Sequence, residues 1–162
     1  MHRTIRRLAI CAAAALAAAT ALPSVTVLEL ENAASARTFR VPLPRGEAFS
    51  VTSRHSMYDQ PVTEEFTVDA DRRIVLTAVS SPSAAVREYF GITRGGERHP
   101  FERTMREVVF RVATGEPQRL RAGAADRSFL DFGGHGDRLV MRVARRPAVA
   151  AWLSSHLGRA TP

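Results

Sequence analysis

Along most of its length the chain alternates apolar and polar side chains with a period of two, in short runs separated by turn residues. That is the pattern of antiparallel strands half-buried against a common core. Such runs lie near Val25 to Glu31, Thr38 to Leu43, Ala48 to His55, Val62 to Val68, Arg73 to Val79, Glu107 to Ala113, Arg119 to Ala122, Arg127 to Phe132 and Arg138 to Ala144. They predict an all-β domain over residues 24–146, an antiparallel β-sandwich of immunoglobulin-like size. Asp69, Ala70 and Asp71 predict a hairpin turn, and Gly133, Gly134, His135, Gly136 and Asp137 predict a second connection between strands. From Ser80 to Arg106 the alternation gives way to Pro82, Gly91, Gly95, Gly96, Pro100 and scattered charges. This predicts a long loop, either covering one end of the sandwich or inserted without order.

Helical character is confined to the two ends. Arg3, Arg6 and Arg7 precede an uncharged run from Leu8 to Leu22, with Ala18, Ala19 and Ala21 where a cleavage site is expected. Residues 1–22 therefore read as an export signal helix. The alanine-rich run, about 15 residues, falls short of the roughly 20 that cross a bilayer, so a retained membrane anchor is the second choice. At the other end Pro147 precedes Ala148 to Leu157, where Val149, Trp152, Leu153 and Leu157 share one helical face and Gly158 follows as a stop. This short amphipathic helix, within residues 147–162, is expected to pack against a sheet edge.

Two polar residues fall on apolar faces. Phe49, Val51, Ser53 and His55 share one side of an extended chain, and Val62, Glu64, Phe66 and Val68 share one side of the next strand. An imidazole and a carboxylate thus point inward from strands joined by a short loop. Because a buried carboxylate without a partner is costly, the pattern predicts that His55 and Glu64 meet in a polar cluster at one end of the core. Arg54, Ser56 and Tyr58 complete the candidate set, with Tyr58 or loop amides as further partners of Glu64, and Arg54, His55 and Tyr58 open to an acidic ligand or partner. Such a network would hold the hairpin in register.

Ser56, His55 and Glu64 also supply the nucleophile, base and orienting acid of a hydrolase, the alternative reading. Adjacent residues of a strand face opposite ways, however, and the chain has no Gly-x-Ser-x-Gly elbow, so no catalytic residue is assigned. His55, Glu64 and Asp59 are the donors of a minimal metal set, with His99 and His135 on separate loops. His-x-His and His-Glu-x-x-His spacings are absent, and neither a metal nor another cofactor is expected.

All 23 basic residues are arginine, against 16 acids. Without residues 1–22 there remain 20 arginines and the same 16 acids, an excess of +4 spread over strands and turns without interleaved aromatics. This argues against nucleic acid as a partner and for a solvated charged surface. Cys11, the only cysteine, lies in the export segment, which leaves the mature domain without disulfide or thiol chemistry. Leu8, Ala9, Ile10 and Cys11 make a poor lipid-attachment box, since Ile10 is bulky and most of the apolar run follows the cysteine.

His55, Ser56, Met57, Tyr58, Pro61, Val62 and Glu64, with the strands that follow through Val79, resemble the DUF1850 family of small exported bacterial proteins. The shared pattern is a strand ending in His-Ser, an aromatic residue, a Pro-Val pair and a Glu before the next strand. It continues through Val108 to Val112, Arg119 to Gly123 and Gly136 to Val143. Where the family tends to carry a glycine-rich stretch after the fifth strand, this chain has Ser80, Ser81, Pro82, Ser83, Ala84 and Ala85, so a ligand role of that stretch does not carry over. The resemblance implies export to the periplasm or cell envelope and association with TAXI-type TRAP transporters, which import small organic acids. The expected role is a non-enzymatic accessory or binding module, partnered with a TRAP transporter component or its solute-binding protein. A hydrolase and a structural adhesion or assembly domain are the alternatives.

Overall fold

The computed structural model describes residues 23–43, 48–93 and 95–148. The export segment over 1–22, with Cys11, and the C-terminal helix expected beyond Ala148 lie outside the described residues. Among the described residues ten antiparallel strands form two sheets. The first holds β2 (Arg37–Pro42), β1 (Ser24–Asn32), β10 (Arg138–Pro147) and β7 (Val108–Arg111), in that order. The second runs β6 (Arg98–Met105), β5 (Ile74–Ser80), β4 (Pro61–Val68), β3 (Phe49–Arg54), β8 (Arg119–Ala122) and β9 (Ala125–Ser128).

Alternation explains the layering. Leu28 and Leu30 of β1 and Leu139 and Met141 of β10 join Phe49, Val51, Phe66, Ile74 and Leu120 of the second sheet in one apolar core. On the outward face of the first sheet, Glu29 takes Arg40 and Arg146, each at 2.8 Å, while Arg142 joins Glu31 at 3.0 Å and Glu107 at 2.8 Å. The Asp69 turn joins β4 to β5 as the spacing predicts. Its carboxylate accepts from the Asp71 and Arg73 amides, and Arg72 takes φ 61°.

A polar knot closes one corner. Asn32, buried at the end of β1, donates through Nδ2 to Phe132 O and Asp137 Oδ2 and accepts at Oδ1 from the Ala34 and Ser35 amides. Asp137 Oδ2 also accepts from Gly134 N. Gly133 must be glycine, because a Cβ there would stand 2.5 Å from Asn32 Nδ2.

Two expectations need correction. Residues 80–106 are not a loop throughout: they contain the helix α1 (Ala84–Tyr89) and the edge strand β6. Pro100 is tolerated there because an edge strand has an unpaired side. The run expected over Arg127 to Phe132 divides at Ser128, whose Oγ accepts from Leu130 N and starts a 3-10 turn, Phe129–Asp131. That turn drops Phe129 and Phe132 into the core.

Candidate interaction site

The hairpin of β3 and β4 sets the geometry. Arg54 pairs with Pro61, Ser53 with Val62 and Val51 with Glu64. The turn closes through His55 N to Gln60 O and Asp59 N to His55 O, both 2.8 Å, with Asp59 at φ 49°. Arg54 braces it from outside, donating through Nε to Asp59 Oδ1 at 2.7 Å and through Nη1 to Glu116 at 3.4 Å. The guanidinium holds the Asp59 carboxyl below its usual range, and the carboxylate raises Arg54 in turn.

This register separates the predicted polar cluster. His55 sits at the turn, whereas Glu64 lies opposite Val51, four residue pairs or about 13 Å down the strand. Facing was legible from parity, but pairing depends on where the turn falls, so two inward groups near one loop need not meet. Glu64 does face the core, between Val51 on β3 and Val79 on β5, both fully buried. Among the described residues none donates a hydrogen bond or ion pair to it, and burial pushes its carboxyl above the usual carboxylate range.

His55 is surrounded by rings instead. Tyr58 stacks on it at 5.1 Å between centroids, Tyr89 meets it edge-on at 4.6 Å, and Phe90 lies at 6.5 Å. The imidazole accepts at Nδ1 from Met57 N, which assigns the ring proton of the neutral form to Nε2. Ser56 is exposed in the turn, and Ser56, His55 and Glu64 form no hydrogen-bonded relay. Among the described residues no three His, Cys, Asp or Glu side chains gather to share a metal ion. His99 lies on β6, and His135 turns toward Ala113 O in the glycine loop.

Tyr89 and Phe90 come from the helix that the sequence reading passed over. Ser83 caps α1 by accepting from Val86 N, and Gly91, at φ 76°, ends it, with Ile92 N donating to Arg87 O and Gly91 N to Glu88 O. The serine cap and glycine stop were the available signal, and the six helical residues between them are too few for a periodicity. Ser81 Oγ donates to Pro61 O, and Arg87 donates to Ser81 O and Pro82 O, tying the helix entry to the hairpin. Val86 enters the core, and Phe90 lies 6.5 Å from both His55 beyond β3 and Phe101 on β6. With β4 and β5 between them, Phe90 bridges the strand pair that carries Glu64 and Val79.

The result is an apolar end to the molecule that is open to water. Met57 is 68% exposed, Tyr89 62% and Tyr58 39%, grouped around the half-buried His55. Single exposed apolar residues are ordinary, but a methionine and two tyrosines gathered around one imidazole have the make-up of a contact surface. Compared with protein-family models, curated proteins and solved structures, the chain has no match.

Proposed function

We propose that this chain is an exported binding module, its two sheets stacked as a β-sandwich, that engages a protein partner at the cell envelope through the aromatic end formed by the β3–β4 turn and α1. One observation carries the reading: Met57, Tyr58 and Tyr89 are exposed together around His55. Tyrosine and methionine are enriched in interface centres, where a few large side chains supply most of the binding energy. The motif likeness to the DUF1850 family supports a TAXI-type TRAP transporter component or its solute-binding protein as that partner.

Co-purification from envelope extract tests this. The unmodified chain is expected to retain a TRAP component, and the double substitution Tyr58→Ala with Tyr89→Ala is expected to lose it by tenfold or more while the domain stays folded. Retention undiminished by the double substitution, or no TRAP component in the eluate, sinks the proposal.

A further inference from the structure

The free edges of the two sheets are not equally guarded. A sheet edge presents unpaired main-chain groups, and charge, proline or shortness ordinarily keeps another chain from adding to it. β6 carries Arg98, Pro100, Glu102 and Arg103, β2 carries Arg37, Arg40 and Pro42, and β9 is a short hairpin arm with Asp126 and Arg127. β7 reads Val108, Val109 and Phe110 before its first charge at Arg111. Among the described residues Val109 is also the one large apolar side chain on a strand that is exposed, at 45%.

Hydrogen bonding around β7 shows which of its main-chain groups are open. Val112 N donates to Asp137 O at 2.9 Å, so by alternation Phe110 and Val108 turn their main-chain groups to β10, and Val109 and Arg111 turn theirs to the free side. Gln118 agrees with this direction. It donates through Nε2 to Arg111 O at 2.8 Å and accepts from Ala113 N at 3.0 Å, which closes the edge beyond Arg111. At Val109 nothing among the described residues takes the N–H or the carbonyl.

Charge is left over at the same place. Arg111 stands directly opposite Arg138 on the outward face, a like pair, and among the described residues its guanidinium donates only to Gly136 O, at 3.1 Å. Arg142 and Arg146, further along that face of β10, each reach a glutamate. Glu107, the residue before β7, lies on the same face, since it meets Arg142 at 2.8 Å.

A copy of β7 reversed about Val109 sets Val109 against itself, each N–H meeting the other carbonyl, and brings Arg111 opposite Glu107 at both ends. The register that covers the exposed valine is thus the one that supplies Arg111 with a carboxylate. We propose that β7 pairs antiparallel with β7 of a second copy of this chain, about a two-fold axis at Val109, joining the two four-stranded sheets into one. This pairing is independent of what the aromatic end binds.

Sedimentation equilibrium of the full chain tests this. One short strand per copy makes a small interface, so the dimer is expected to build up between about 10 μM and 1 mM chain. Arg111→Glu and Glu107→Arg, both at exposed positions, each set like charges across the pairing and are expected to weaken association by about tenfold or more. Mixed in equal amounts, the two variants meet as opposite charges at both ends and are expected to regain the dimer. Val109→Asp is expected to abolish it, and Tyr58→Ala with Tyr89→Ala to leave it unchanged. A chain that stays monomeric up to about 1 mM overturns the proposal. So does association unaltered by Arg111→Glu, or a mixture of the two charge variants that stays dissociated. Association lost on Tyr58→Ala with Tyr89→Ala overturns it as well and moves the contact to the aromatic end.

Discussion

The corner around Asn32 and the core beneath α1 each take a polar side chain from a strand into the interior, and they treat it in opposite ways. Asn32 is 2% exposed, and its amide is fully engaged with both ends of the glycine loop and the turn after β1. Glu64 faces Val51 and Val79, and among the described residues no donor reaches it. Inward polarity alone therefore says little about role. A satisfied polar group joins segments, whereas an unsatisfied one lowers stability and persists only where the surroundings hold it.

The sharpest way to break this contrast is at its satisfied end. Asn32→Ala strands Phe132 O and releases two turn amides, so a loss of about 2–3 kcal/mol is expected in denaturant unfolding. A change under 1 kcal/mol would show that the knot joins nothing.

Glu64→Gln probes the other end, with the opposite sign. Burial raises the folded carboxyl above its ordinary value of 4.5, so the folded state favours the neutral form. Below 4.5 the group is protonated in both states and carries no charge penalty. As pH climbs from 4.5 through the raised folded value the penalty grows, then stays constant. At neutral pH the glutamine variant is expected to be more stable by about 1 kcal/mol, the gap closing in acid. Equal stability across that range would mean the carboxylate is solvated after all.

His55→Ala is the smallest of the three. It removes the ring between Tyr58 and Tyr89 but breaks no contact with Glu64, so a loss of about 0.5–1 kcal/mol is expected, and the pH profile set by Glu64 should not change. If the profile moved with His55→Ala, the two groups would be coupled despite their separation in register.

These contrasts show what was readable from residue order. Parity within a strand is a local property, and it put Phe49, Val51, Phe66 and Glu64 on inward faces. Pairing between strands is not local: the six residues from His55 to Gln60 spend themselves in the turn, and that carried Glu64 opposite Val51 rather than beside the imidazole. β6 was hidden because an edge strand needs only one paired side and so admits Pro100 and many charges among His99, Phe101 and Met105. The aromatic end escaped notice for a related reason. It is assembled from a turn, a helix of six residues and that edge strand, none of which carries a strong pattern alone.

The ion pairs on the outward sheet face have a consequence for how the molecule meets alkali. A guanidinium keeps its proton at pH values where an ammonium would surrender it, and this chain has no ammonium side chains at all. Arg40 and Arg146 hold Glu29 below its usual titration range, so the stabilisation they give is complete above about 4.5 and fades only as acid carries the pH down through that lowered value. Reagents that acylate amines would find no side-chain target, and a bath basic enough to discharge a lysine-rich surface would leave these bridges standing.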